Sequence, residues 1–255
     1  MWKRTVFSMS ALVAVAAMVT AASAQTPAAA QAPPAAPTMT VDEIVSKHLA
    51  TKGGAEKWKT VQTQKMTGVA TSQGFQLAMT VYAKRPNVSR QELTVEIPGQ
   101  PVTTIVNLFD GTKAWMINPM TGNTAPQEMP EAETATARAQ SDFDGALVDY
   151  KTKGYTVVLV DQAPVAGKPT HHLKLTHANL PTQHIYLDPE TFVEVRVAVE
   201  GATASETDLT DYKIVDGVMV PHSYKISQGG AVVAELKITK VEFNIPLDDA
   251  LFRIK

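Results

Sequence analysis

From Phe75 onward the apolar residues of this chain recur at every second position. Phe75, Leu77, Met79, Val81 and Ala83 alternate with Gln76, Ala78, Thr80 and Tyr82. Leu93, Val95 and Ile97 alternate with Glu92, Thr94 and Glu96, and Val193, Val195, Val197 and Val199 with Glu194, Arg196, Ala198 and Glu200. A period of two is that of antiparallel strands with one apolar and one polar face. Turn-forming pairs separate the runs, among them Arg85-Pro86-Asn87, Asp110-Gly111, Asp188-Pro189, Asp216-Gly217 and Gly229-Gly230. The spacing predicts about ten strands between Thr63 and Phe243. So many one-faced strands must close on themselves or be covered by another layer.

Candidate covering elements are few. Thr40 and Glu43 form a capping box, and Val41, Ile44, Val45, His48 and Leu49 follow with helical spacing until Gly53-Gly54. A short turn around 55–60 carries Trp58. The alternation is interrupted from about 119 to 150, where Glu131–Ala139 predicts a polar, surface-exposed helix in a lid-like insertion. The expected fold class is α+β, mainly β. It is a strongly curved antiparallel sheet or incomplete β-barrel whose concave apolar side is covered by helices, a form that leaves room for a cavity.

The chain start follows a different logic. Lys3 and Arg4 precede an apolar core, and Ala22-Ser23-Ala24 supplies a small-residue cleavage site, so 1–24 read as a signal peptide and the predicted location is the periplasm. Residues 25–38 are Pro/Ala-rich and uncharged, a composition that favours an extended linker. One domain is expected over 39–255, with the helical insertion at 119–150.

Much chemistry is excluded. There is no cysteine in the 255 residues, hence no disulfide, thiol nucleophile or thiolate metal site. A formal charge of −2 and 6% aromatic residues give no basis for nucleic acid as a partner. No phosphate-binding glycine loop, G-x-S-x-G elbow or H-E-x-x-H pair occurs. His171, His172, His177 and His184 cluster in sequence but lack ligand spacing, so they read as polar residues on a solvated sheet face. Asp208 and Asp211 fall on opposite faces of a strand without an acid/base partner. The expectation is no catalytic residue, no metal and no cofactor.

Two stretches carry a family resemblance. Val81-Tyr82-Ala83-Lys84-Arg85-Pro86-Asn87 is followed by Asp110-Gly111-Thr112-Lys113-Ala114-Trp115-Met116-Ile117-Asn118-Pro119, and the pair resembles the periplasmic lipoprotein carrier family of LolA. Tyr186-Leu187-Asp188-Pro189-Glu190-Thr191 and Asp216-Gly217-Val218-Met219-Val220-Pro221 are similar to the wider group of LolA-like outer-membrane lipoprotein-sorting proteins. The chain departs from strict LolA at Ser89, where the carrier has an aromatic, and in a longer second half. The resemblance implies an incomplete β-barrel capped by helices, with a hydrophobic cavity for acyl chains. It also implies that Arg85 matches the arginine that latches the lid helices.

The resulting expectation is a non-enzymatic periplasmic carrier that binds acyl chains of lipoproteins or other lipids and moves them toward the outer membrane. It would receive them from a membrane-bound donor and pass them to a membrane-bound acceptor. The acyl cavity is expected among Phe75, Leu77, Met79, Val81, Leu93, Val95, Trp115 and Ile117. An interaction or sensor module that binds a protein or lipidated peptide on the same concave face is the alternative, and an enzyme built on the histidine cluster is a further rival.

Overall fold

The computed structural model describes residues 39–254 apart from 97, 98, 100, 161, 162, 202 and 203. The signal peptide and linker expected over 1–38 lie outside these residues, as does Ile97.

Thirteen strands form one antiparallel sheet. In chain order they are β1 (Thr63–Ser72), β2 (Phe75–Lys84), β3 (Val88–Val95), β4 (Thr103–Phe109), β5 (Ala114–Asn118), β6 (Asn123–Glu128) and β7 (Thr156–Val160). There follow β8 (His171–His177), β9 (Leu180–Leu187), β10 (Glu194–Val199), β11 (Ser205–Val215), β12 (Val218–Gln228) and β13 (Ala231–Phe243). The spatial order runs from β6 back to β1, then β13 back to β7. Every pairing is therefore between sequence neighbours except the seam between β1 and β13, and β6 and β7 are the two edges. The sheet is not closed. The sequence undercounts the strands, because β6 contains Pro126 and no apolar alternation, and β7 is only five residues long.

Three helices lie on one face of the sheet: α1 (Val41–Thr51), α2 (Ala55–Lys59) and α3 (Glu131–Gln140). The face bearing them is the inner face. The predicted capping box is present at α1, with Glu43 N–H donating to Thr40 Oγ1 and Thr40 N–H to Glu43 Oε2 at 2.7 Å. Ile44 and Val45 of α1 pack with Leu173, Leu175, Ile185 and Leu187 from β8 and β9. Trp58 of α2 packs with Phe143, Met79, Val220, Ile238 and Phe243. The insertion is not uniformly exposed, since Thr134 of α3 and Phe143, Leu147 and Val148 after it are buried.

The sheet has to curl strongly. Helix α3 lies against β4 and β5 and also reaches β9. In sheet order β4 and β9 are eight strands apart, which on a flat sheet would be ~38 Å, while a ten-residue helix spans ~15 Å. Curling brings the two flanks toward α3 and makes the inner face concave.

His48 ties α1 to the sheet. It is 3% exposed, its Nδ1–H donates to the Phe192 carbonyl at 3.0 Å, and Nε2 faces Glu194 Oε1 at 3.4 Å. Burial pushes its pKa down, while the Glu194 carboxylate pulls it the other way.

Gly68 is fixed by the seam. The register between β1 and β13 shifts at Thr67/Gly68, and a Cβ at Gly68 would stand 2.2 Å from the Lys237 carbonyl oxygen. Backbone, not a movable side chain, occupies that space. Gly68→Ala is expected to destabilise the protein by about 1–3 kcal/mol, read as a lower urea midpoint with an unchanged slope.

Candidate functional site

The concave face is not filled everywhere. Between α3 and strands β1–β5 lies a cavity of about 560 Å³, within the size range of small-molecule pockets. Its apolar wall includes Met66, Val81, Phe109, Ala137 and Phe143. Gln64, Gln91, Asn107 and Gln140 are also on the lining, as are the charged residues Arg90, Glu133 and Asp142, so the hollow is amphipathic.

Strand register explains the polar floor. Gln91 is directly opposite Asn107, and Val81 directly opposite Gln91, so all three share the inner face. Asn107 Nδ2–H donates to Gln91 Oε1 at 3.2 Å. Opposite the sheet, Ser141 at the C-terminal end of α3 is within 2.6 Å of Ser89 Oγ on β3. Arg138 of α3 donates to the Thr112 carbonyl at 3.1 Å. The covering helix is thus pinned at this end by a few polar contacts above a hollow.

Arg85 follows the last residue of β2. Its Nε–H donates to the Val61 carbonyl at 2.6 Å and an Nη2–H to the Trp58 carbonyl at 3.0 Å, both at the end of α2. The fork also bonds both oxygens of Asp144, at 2.8 and 2.6 Å, and the guanidinium lies 4.7 Å from the Phe143 ring centre. One planar cation therefore connects β2, α2 and the segment after α3. Five donors in a fixed geometry suit this arrangement, which an ammonium could not reproduce. The hydrogen bonds from Arg85 hold the Asp144 carboxyl below the usual carboxylate range.

The eight apolar residues expected at the cavity divide into several groups. Val81 lines it. Leu77, Met79 and Leu93 share its face but pack into the filled core around Trp58 and Phe143. Val95 lies on the same face further along β3 and is buried, while Phe75 at the start of β2 is 61% exposed. Trp115 and Ile117 are on the outer face, a correction to the sequence reading. They are directly opposite Leu108 and Val106 and pack with Phe252 under the C-terminal segment. That segment is the short 3-10 turn Asp249–Phe252, capped by Asp248 through the Ala250 N–H. Trp115 is fixed there by donating its indole N–H to Asp110 Oδ2 at 2.9 Å. Phe109 and Ala114, their neighbours in sequence, are the residues that face the cavity.

The outer face has its own hollow of about 750 Å³, bounded by Trp115 and Phe252 and by Lys84, Lys113, Arg253, Asp110 and Asp249. Its charged rim suits an acyl chain poorly. The histidines are also placed differently from expectation. His172 is buried and stacks on Tyr186 with centroids 4.3 Å apart, its Nε2 is 2.7 Å from His184 Nδ1, and His222 is buried as well. Asp208 accepts from Arg196 Nε–H at 2.6 Å and lies 3.4 Å from Lys225 Nζ, so it belongs to an ion-pair cluster.

No protein-family model and no curated protein sequence matches the chain. Solved structures do. A LolA superfamily protein from Nitrosomonas europaea superposes with a TM-score of 0.57 at 12% identity, covering 85% of this chain and 98% of the other. A DUF1329 family protein from Desulfovibrio piger gives a TM-score of 0.58, also at 12% identity and with the same coverage. The resemblance carried by the Lys-Arg-Pro-Asn stretch is therefore matched in three dimensions: the fold is LolA-like. Among the described residues no helix is long and apolar enough to cross a membrane.

The Arg85–Asp144 pair predicts an acid limb in stability. A carboxylate with a depressed folded pKa contributes stability that is complete above its unfolded value of ~3.9 and is lost as pH falls through the folded value. Asp144→Asn is expected to lower stability by about 2 kcal/mol at pH 7. The gap to the parent should narrow below about pH 4, measured by urea denaturation across a pH series.

Proposed function

We propose that this chain is a non-enzymatic periplasmic carrier of acyl-bearing molecules, lipoproteins or other lipids, which it moves toward the outer membrane. The observation that carries this reading is the hollow under α3 on the concave face of a LolA-like sheet. Residues 1–24 direct export, 25–38 act as a linker, and 39–255 form the binding domain.

Apolar cargo atoms enter against Met66, Val81, Phe109 and Phe143, and each buried methylene contributes about 0.8 kcal/mol. Arg85 acts as the lid latch, holding α2 and the segment after α3 against the sheet. Release to an acceptor needs the α3 end of that cover to part, where the Ser141–Ser89 and Arg138–Thr112 contacts are polar ones that water can replace. A membrane-bound donor supplies the cargo and a membrane-bound acceptor takes it.

The amide pair of Gln91 and Asn107 favours a cargo that carries amide or hydroxyl groups beside its chains. That same observation supports the second reading, a module that binds a lipidated peptide or protein segment on this face.

The test is native mass spectrometry of protein purified from a bacterial periplasm, with lipid extraction of what accompanies it. A stoichiometric lipid or lipopeptide is expected on the parent and absent from Ala137→Trp, which fills the hollow. Circular dichroism of both should match. A bare protein mass that stays unchanged after incubation with phospholipid or lipopeptide sinks the carrier reading.

A further inference from the structure

Outside the cavity, the outer face of β8–β10 carries an arrangement that neither the fold nor the carrier reading requires. His172 on β8 and His184 on β9 are diagonal neighbours, since His172 is opposite Tyr186 and His184 opposite Lys174. Their rings converge, with His172 Nε2 2.7 Å from His184 Nδ1. The far nitrogen of His184 donates to Glu200 Oε1, also at 2.7 Å. This bond holds the Glu200 carboxyl below its usual range. His172 is 8% exposed and held flat on Tyr186.

The bonds restrict what the two nitrogens can do. A carboxylate only accepts, so His184 carries a proton on Nε2 and offers Nδ1 to His172. One proton then lies between the two rings, whichever of them owns it. A carboxylate behind a histidine fixes its orientation and raises the basicity of its other nitrogen, as in the outer shell of a metal site.

We propose that His172 Nε2 and His184 Nδ1 form a binding site for a late first-row divalent cation such as zinc or copper, with Glu200 as the outer-shell carboxylate. The metal takes the place of the shared proton, which leaves to solvent. Zinc–nitrogen bonds of about 2.0–2.1 Å in a tetrahedral shell place two ligand nitrogens roughly 3.3 Å apart. The rings therefore open by about 0.6 Å, a side-chain adjustment. Imidazole ligands favour this class of ion over magnesium or calcium. Among the described residues no three candidate ligands converge on one point; these residues supply two ligands, and water fills the remaining positions of the shell. The entry path is at Glu200, whose side chain is 56% exposed. Lys174 faces the same side, opposite His184, and Arg196 nearby is neutralised by Glu206 and Asp208.

The experiment is isothermal titration of the purified full chain with zinc chloride and, separately, copper(II) chloride, with magnesium chloride as the hard-cation control. One equivalent of zinc or copper and no magnesium is expected to bind. Imidazole ¹⁵N resonances should shift at His172 Nε2 and His184 Nδ1. Glu200→Gln should weaken binding about tenfold or more, His184→Ala should abolish it, and His177→Ala should leave it unchanged. Thermal melts of each variant without metal establish that it folds. Absence of binding to the parent overturns the proposal. So does binding that persists in His184→Ala, or parent ring resonances that do not move. The result is independent of lipid binding, which the cavity variant Ala137→Trp reports separately.

Discussion

A sheet of thirteen strands with one apolar face cannot stand in water unless that face is covered, and among the described residues only three α-helices are there to cover it. Everything else in the structure answers to that shortage. The sheet curls until short helices can bridge its flanks, and each helix takes one sector of the concave side. Helix α1 covers β8 and β9, α2 covers the centre around Met79 and Ile238, and α3 covers β4 and β5. Cover is thinnest under α3, where the polar helix brings Glu133, Thr136, Ala137 and Gln140 instead of large apolar side chains. The hollow follows from that composition. Arg85 then matters because it joins the cover of the centre to the cover of this flank.

The strand pattern was legible because one-sided burial imposes period two, and α1 was legible because its caps and apolar stripe agree. The limits are equally physical. Alternation tells which residues of one strand share a face but does not carry that face through a turn. Phe109 and Ala114 point inward at the close of the β4–β5 hairpin, so Trp115 and Ile117 point outward, although they look as greasy as the cavity residues. Gln91 and Asn107 are polar residues on the buried side of their strands, which an apolar alternation does not flag, and they form the floor of the hollow. The approach of His172 to His184 depends on the β8–β9 register, which the eleven intervening residues do not fix. Arg85 was found through its resemblance to a known motif, and its partner Asp144 could be seen only once the fold was formed.

The two faces of the sheet differ in chemistry. On the inner face neutral amides and hydroxyls, Gln91, Asn107, Ser89 and Ser141, meet the hollow, while the Arg85–Asp144 pair and the His48–Glu194 contact tie the covering segments down beside it. On the outer face the polar groups are ionic or imidazole, from His184 and Glu200 to Arg196, Asp208 and Lys225.

The seam between β1 and β13 also shapes how the protein is made. All other strand pairs form between neighbours in the chain and close short loops, but β1 finds its second partner near the opposite end of the sequence. Closing a loop of that length is the step that slows folding most. Until β13 has emerged, β1 presents an open edge and the two arms of the meander are separate half-sheets, each with its apolar face only partly covered. A chain released early, or clipped before its last strand, would therefore be left with a sticky edge at what should become the centre of the molecule.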